Sequence, residues 1–119
     1  MAIWNAVLLT LAGFMGAAGV ALAAAGAHAG GANLATAATF LLIHAAAVSA
    51  IALHGAGRLF LIAATLLCVG ACLFAGDIAV RAWGAARLFP MAAPTGGVIM
   101  ITGWLCLSAV ALIAMFGRS

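Results

Sequence analysis

The chain has 119 residues, of which 70% are hydrophobic and only 4% are charged, and it contains neither lysine nor tyrosine. A water-soluble domain needs polar side chains over most of its surface, so this composition excludes one and indicates an integral membrane protein. The net charge of +3 comes from a few scattered arginines. These suit lipid headgroups better than nucleic acid, and we expect a lipid bilayer and no nucleic-acid partner.

Four apolar runs follow one another along the chain: 3–27, 34–53, 59–80 and 95–116. Each is close to the ~20 residues that a membrane-spanning helix requires. The runs lack the alternation of polar and apolar residues that barrel strands show, and backbone amides have no water partner in hydrocarbon. The sequence therefore predicts a single all-α transmembrane domain, an antiparallel four-helix bundle over residues 1–119.

The stretch LAAAGAHAGG, residues 22–31, closes the first run and has two interpretations. Small residues around His28 would suit a signal-peptide cleavage site after Ala29. Residues 1–5 contain no basic side chain, however, and the apolar run exceeds the ~7 to 15 residues usual for a signal peptide. We expect the segment to be retained as a helix that ends at Gly26, Gly30 or Gly31.

Turn-forming residues separate the other runs. Asn33 is a suitable cap for the second helix, and glycines 55 and 57 mark the next turn. Pro90 and Pro94 delimit the third connection, and Pro94 is well suited to begin the last helix. The connection itself, RAWGAARLFPMAAP, is expected to lie in the membrane interface; a gate is the alternative. Arginines are equally distributed between the two sides, so the orientation stays open.

Small residues predict close helix packing. Glycines 13, 16 and 19 recur at three-residue spacing, which lets two helix backbones approach. We expect packing within the bundle, with packing against another subunit as the alternative. The candidate packing residues are Gly13, Gly16, Gly19, Gly76, Gly103 and Trp104.

Ionisable residues inside the apolar runs are the candidates for a site. Asp77 and Arg81 are four apart, so they share a helix face and can form an ion pair. His44 lies near the middle of the second run and must find hydrogen-bond partners, either as a packing residue or as a proton or ligand site. Topology brings most of these groups to one membrane face, where the amino end of the last helix could hold an anion. The candidate cluster is His28, His44, Asp77, Arg81, Thr95, Gly96 and Gly97.

The three cysteines suggest no disulfide framework. Cys68 and Cys72 share one helix face, and Cys106 lies on the last helix. A soft-metal site with a nearby methionine is the alternative to their use as small apolar side chains. Because the spacing is not diagnostic, we predict no metal and no cofactor.

Five short motifs together resemble one family of small bacterial inner-membrane proteins, catalogued as domain of unknown function four-two-three. They are Gly26-Ala27-His28, Phe40 with His44, Phe74-Ala75-Gly76-Asp77, Pro94-Thr95-Gly96-Gly97 and Gly103-Trp104. The resemblance covers nearly the whole chain. It implies four helices, a multi-pass location in the bacterial inner membrane, small eukaryotic transmembrane relatives and no established biochemical activity.

The resemblance also bears on individual residues. It implies that His28 belongs to the folded protein, and the family pattern carries over to Gly26, His28, His44, Gly76, Gly96, Gly97 and Trp104. This chain departs where relatives commonly have an aromatic residue at Ala25, serine at Asp77 and tyrosine at Ala79. If serine replaces Asp77, hydrogen bonding is a safer common role than proton transfer.

Three classes of function follow. The first is a structural or accessory membrane protein that forms a homo-oligomer or joins a larger complex through small-residue faces. The second is binding or transport of a proton, ion or small polar solute through the candidate cluster. The third is an enzyme, which we do not expect, because the chain lacks convergent catalytic groups. The first class is favoured, since alanine-rich helices pack tightly and leave little room for a cavity.

Overall fold

The computed structural model describes residues 1–29, 32–55 and 57–117. It contains four helices, α1 (Ile3–Ala29), α2 (Ala32–His54), α3 (Arg58–Ala82) and α4 (Ala92–Phe116). All four are long and apolar enough to cross a membrane. The described residues contain no strand, so the all-α prediction is confirmed and the chain is a multi-pass membrane protein.

The residues predicted to end or begin three of the helices are not at those ends. Gly26 lies inside α1, which continues to Ala29, while Gly30 and Gly31 lie outside the described residues. Asn33 is the second residue of α2 and not its cap. α4 begins at Ala92, so Pro94 is its third residue. Proline is tolerated there because its missing N–H would have no partner within the helix.

The turn before α3 follows its prediction. Gly55 and Gly57 both adopt positive φ, 69° and 119°, which favours glycine over residues with a side chain. At the end of the third connection, Met91 has a φ of 67° and directly precedes α4. Met91 thus marks the sharp change of direction from the third connection into the last helix.

Helix α3 is the centre of the bundle. It packs against α1, α2 and α4, and α1 also packs along α2. Over the described residues the backbones of α1 and α4 do not meet, so the bundle is open between them. Most of the core side chains are alanines and leucines, and Ala63, Ala64, Leu67 and Ala71 of α3 are fully buried.

Hydroxyl side chains on the helices bond to their own helix. The hydroxyls of Thr10, Thr39, Ser49, Thr65 and Thr102 each donate to the carbonyl oxygen four residues earlier, at 2.7–2.9 Å. This arrangement satisfies a polar group in lipid without a partner from another helix.

Two side chains near the amino end of α1 form hydrogen bonds to the neighbouring helices. The Asn5 amide donates to the Ala52 carbonyl oxygen at 2.9 Å, in a buried position. The Trp4 indole N–H donates to the Thr65 hydroxyl at 3.0 Å. These contacts fix where the start of α1 lies against the end of α2 and the beginning of α3.

We expect Asn5→Ala to destabilise the protein by about 0.6–1.7 kcal/mol, which are the average and the largest values measured for hydrogen bonds between membrane helices. Denaturant titration in mixed micelles measures this loss. Thr10→Ala is the matched control, because the Thr10 hydroxyl bonds only within α1. A loss no larger for Asn5→Ala than for Thr10→Ala would contradict the prediction.

Candidate functional site

Four rings join α2, α3 and α4, and we call Phe40, His44, Phe74 and Trp104 the aromatic cluster. The Phe40 and Phe74 rings are tilted, with centroids 4.9 Å apart. His44 stacks on Phe40 at 6.1 Å and meets the edge of Trp104 at 5.6 Å. The cluster is the side-chain link between α2 and α4, whose backbones are not in contact in the described parts of the chain.

Both ring nitrogens of His44 have partners. Nδ1 lies 2.7 Å from the Phe40 carbonyl oxygen, and Nε2 lies 3.1 Å from the indole nitrogen of Trp104. A carbonyl oxygen can only accept and an indole N–H can only donate. The pairing therefore assigns a neutral ring with its proton on Nδ1, and Nε2 accepts from Trp104. His44 lies in a satisfied packing position and has no ring nitrogen left for a solute.

Asp77 holds the end of α3 and the third connection together, and we call Asp77, Arg81 and Leu88 the Asp77 clasp. The carboxylate is 1% exposed. Its Oδ2 pairs with Arg81 Nε at 3.2 Å, and its Oδ1 accepts from the Leu88 backbone N–H at 3.0 Å. The ion pair forms as the four-residue spacing predicts. The bond to Leu88, which folds the connection back onto α3, has no signal in the sequence.

We expect Asp77→Ala to release the third connection while the helices stay in place. A hydrogen bond to a charged group is worth about 1.5–3 kcal/mol, so exchange of the Leu88 amide hydrogen should accelerate by about 10- to 100-fold. Hydrogen exchange with site resolution measures this. The amide of Trp83 bonds to the Ala79 carbonyl and should not change. Equal acceleration at both amides would indicate general unfolding and contradict a local clasp.

The other members of the predicted cluster do not join His44. His28 is exposed in the last turn of α1. Because α4 starts earlier than predicted, Thr95 to Gly97 are not at its amino end, and the Thr95 N–H already bonds to the Met91 carbonyl oxygen. The backbone amides expected to hold an anion are therefore engaged in the helix.

Gly96 instead belongs to the packing between α3 and α4. A Cβ at Gly96 would lie 2.6 Å from the Phe74 nitrogen, and one at Gly70 would lie 2.7 Å from the Met100 nitrogen. Gly103 packs in the same way against Leu67, as expected for a packing glycine. Gly70 was missed in the sequence, because a single buried glycine carries no periodic signal.

The remaining predicted packing glycines differ in how closely neighbouring atoms approach them. Gly19 lies tightly against Leu42, and Gly16 makes ordinary contact with Ala45. Gly76 contacts only the Leu88 side chain, at 3.8 Å from an added Cβ. Gly13 has open space around it, so the expected packing within the bundle is wrong for this residue.

Two cavities border α3. The larger has a volume of about 630 Å³ and is an apolar groove between α1 and α3. It lies on the side of the bundle where α1 and α4 do not pack against each other. Phe14, Leu22, Ala75 and Trp83 are among its lining residues. The smaller, about 290 Å³, lies beside Asn33 and Arg81 and is about half polar. Neither cavity is lined by His44 or Asp77.

A family model described as "Protein of unknown function (DUF423)" matches residues 15–97. This range begins in the middle of α1 and ends in the second turn of α4, so it includes His44, Asp77 and Gly96. No curated protein and no solved structure matches the chain.

Proposed function

We propose that the chain, which belongs to the DUF423 family of proteins of unknown function, is a structural or accessory component of a bacterial inner membrane, without catalysis of its own. The component joins a larger assembly or a second copy through its lipid-facing helices. The observation that carries this proposal is the internal pairing of its polar groups. Among the residues that the structure describes, every buried side-chain nitrogen and oxygen has a hydrogen-bond partner.

This pairing supports a structural role because substrate sites need polar groups that are free to bind. The interior His44 bonds to Trp104 and to its own helix, and Asp77 bonds to Arg81 and Leu88. The bond to Trp104 joins α2 to α4, and the bond to Leu88 joins α3 to the third connection. The polar side chains thus stabilise the arrangement of helices, and the outer surface is left for protein and lipid contacts.

A row of small residues on α1 supports association at that helix. Gly13, Ala17, Ala21 and Ala24 are all exposed. They follow at spacings of three or four, so they form one lipid-facing stripe, and Gly13 has nothing within 4 Å of an added Cβ. A partner helix can approach such a stripe closely, which is the usual basis of helix association in membranes.

Replacement of Gly13 by leucine tests the proposal without disturbing the fold, because the site is open. We expect Gly13→Leu to lose the co-purifying subunits while its unfolding midpoint stays at the wild-type value. Ala109→Leu, at an exposed position on α4, is the matched control. This variant should keep the co-purifying subunits. Unchanged co-purification in Gly13→Leu would contradict association at this stripe.

The second candidate function is binding or transport of a proton, ion or small polar solute. The half-polar cavity beside Asn33 and Arg81 favours it, since a guanidinium there can hold an anion. Flux measured in proteoliposomes tests this candidate. A flux that falls in Arg81→Gln would support transport, and a flux that is the same in wild type and in Arg81→Gln would defeat it.

A further inference from the structure

Three sulfur-containing side chains lie at or behind the wall of the apolar groove between α1 and α3. The Cys68 thiol donates to the thioether of Met15, with Sγ and Sδ 3.6 Å apart. Cys72 lies one turn farther along the same face of α3. Met15 and Cys72 both line the groove, whereas Cys68 is buried behind them.

The distance between Cys68 Sγ and Met15 Sδ suits two ligands of one metal ion. Two sulfurs that each lie ~2.3 Å from an ion in a trigonal plane are ~4 Å apart, so the observed Sγ–Sδ separation needs only a small outward shift. Met15 and Cys72 border open space and can move in this way. The sulfurs come from two helices, so an ion between them would also join α1 to α3.

We propose that Met15, Cys68 and Cys72 form a binding site for a soft monovalent ion of the Cu(I) class. Thiolate and thioether ligands select such ions. The described residues contain no group of three histidine, cysteine or acidic side chains that could hold a metal, so the harder ions that prefer nitrogen and oxygen lack ligands there. On binding, both thiols release their protons to the medium, because cysteine binds a metal ion as its thiolate. The complex of Cu(I), two thiolates and the thioether then carries one negative charge.

Cys106 provides an internal control. It lies on α4, which makes no backbone contact with α1 in the described ranges. The three cysteines do not form a metal-holding group among the residues that the structure describes, so the site that the sequence suggested from all three is not the one that forms. The thioether of Met15 takes the third position.

Cu(I) titration of the purified full chain in detergent, without oxygen and against a competing Cu(I) chelator, tests the site. We expect one ion per chain in native mass spectra and three sulfurs in X-ray absorption. Cys106→Ser should leave the affinity unchanged. Cys68→Ser and Cys72→Ser should abolish binding in the presence of the chelator. Met15→Leu, which keeps the volume, should weaken binding more than about tenfold, at least the effect of losing an outer-shell partner.

Other results would overturn the proposal. Binding of one ion for each cysteine, or equal losses in Cys106→Ser and Cys72→Ser, would indicate ordinary thiol reactivity. An unchanged affinity in Met15→Leu would remove the thioether from the site. Unfolding midpoints of all four variants, measured without copper, identify any loss of binding that comes from misfolding. The Met15→Leu result decides the proposal if a cysteine variant does not fold.

Discussion

Gly96→Ala should destabilise the bundle by about 1–3 kcal/mol, the usual cost of forcing extra atoms into a packed interface. The added methyl carbon would lie 2.6 Å from the backbone nitrogen of Phe74 and 2.8 Å from the Gly70 carbonyl oxygen. Backbone atoms in a helix cannot move aside as a flexible side chain does. The methyl group would therefore push α4 away from α3.

Gly97→Ala is the matched control for this substitution. The next residue on the same helix has nothing within 4 Å of an added Cβ, so we expect a change within about 0.5 kcal/mol. Both variants gain the same methyl group, and both lose a glycine from a helix. Unfolding in mixed micelles compares them directly, and equal losses would show that α4 does not pack on α3 through Gly96.

Removal of the bond between His44 and Trp104 should have the second large effect. His44→Leu leaves the Trp104 indole N–H without its acceptor, and Trp104→Phe leaves His44 Nε2 without its donor. We expect about 1–3 kcal/mol for each single variant, the cost of leaving one partner unsatisfied. In the double variant neither orphaned group remains. Its loss should therefore be smaller than the sum of the two single losses, by about 1 kcal/mol.

Trp83→Phe is the control in this cycle. Trp83 directly follows α3, is exposed, and is not one of the rings of the aromatic cluster. Its combination with His44→Leu should give additive losses. Additive losses for the pair of His44 and Trp104 as well would contradict the hydrogen bond that assigns the histidine tautomer.

The four helices can be predicted from the sequence because the lipid bilayer imposes one simple requirement on a segment that crosses it. Every backbone amide must bond within its own segment, so length and apolar character are enough to find the four spans. The ends of the helices are harder to predict from the sequence. The start of α4 was placed at Thr95 from the helix preference of Pro94, whereas a proline is tolerated throughout the first turn and α4 begins at Ala92.

The contacts of single side chains could be predicted only where both partners lie on one helix. Asp77 and Arg81 are a local pair, and their spacing alone indicated the ion pair. Phe40 and His44 have the same spacing, which could have suggested their stacking. Gly96 was assigned to an anion site because the sequence does not reveal which face of α4 meets α3. Such choices depend on how separate helices pack.

Native mass spectrometry of the protein, extracted gently from its own membrane, tests the proposed role most directly. The proposal predicts that the chain is released as a complex of fixed stoichiometry, either with other subunits or with a second copy. It also predicts that Gly13→Leu dissociates this complex. A chain released only as a monomer, with a small polar solute bound to it, would contradict an accessory role and favour binding or transport.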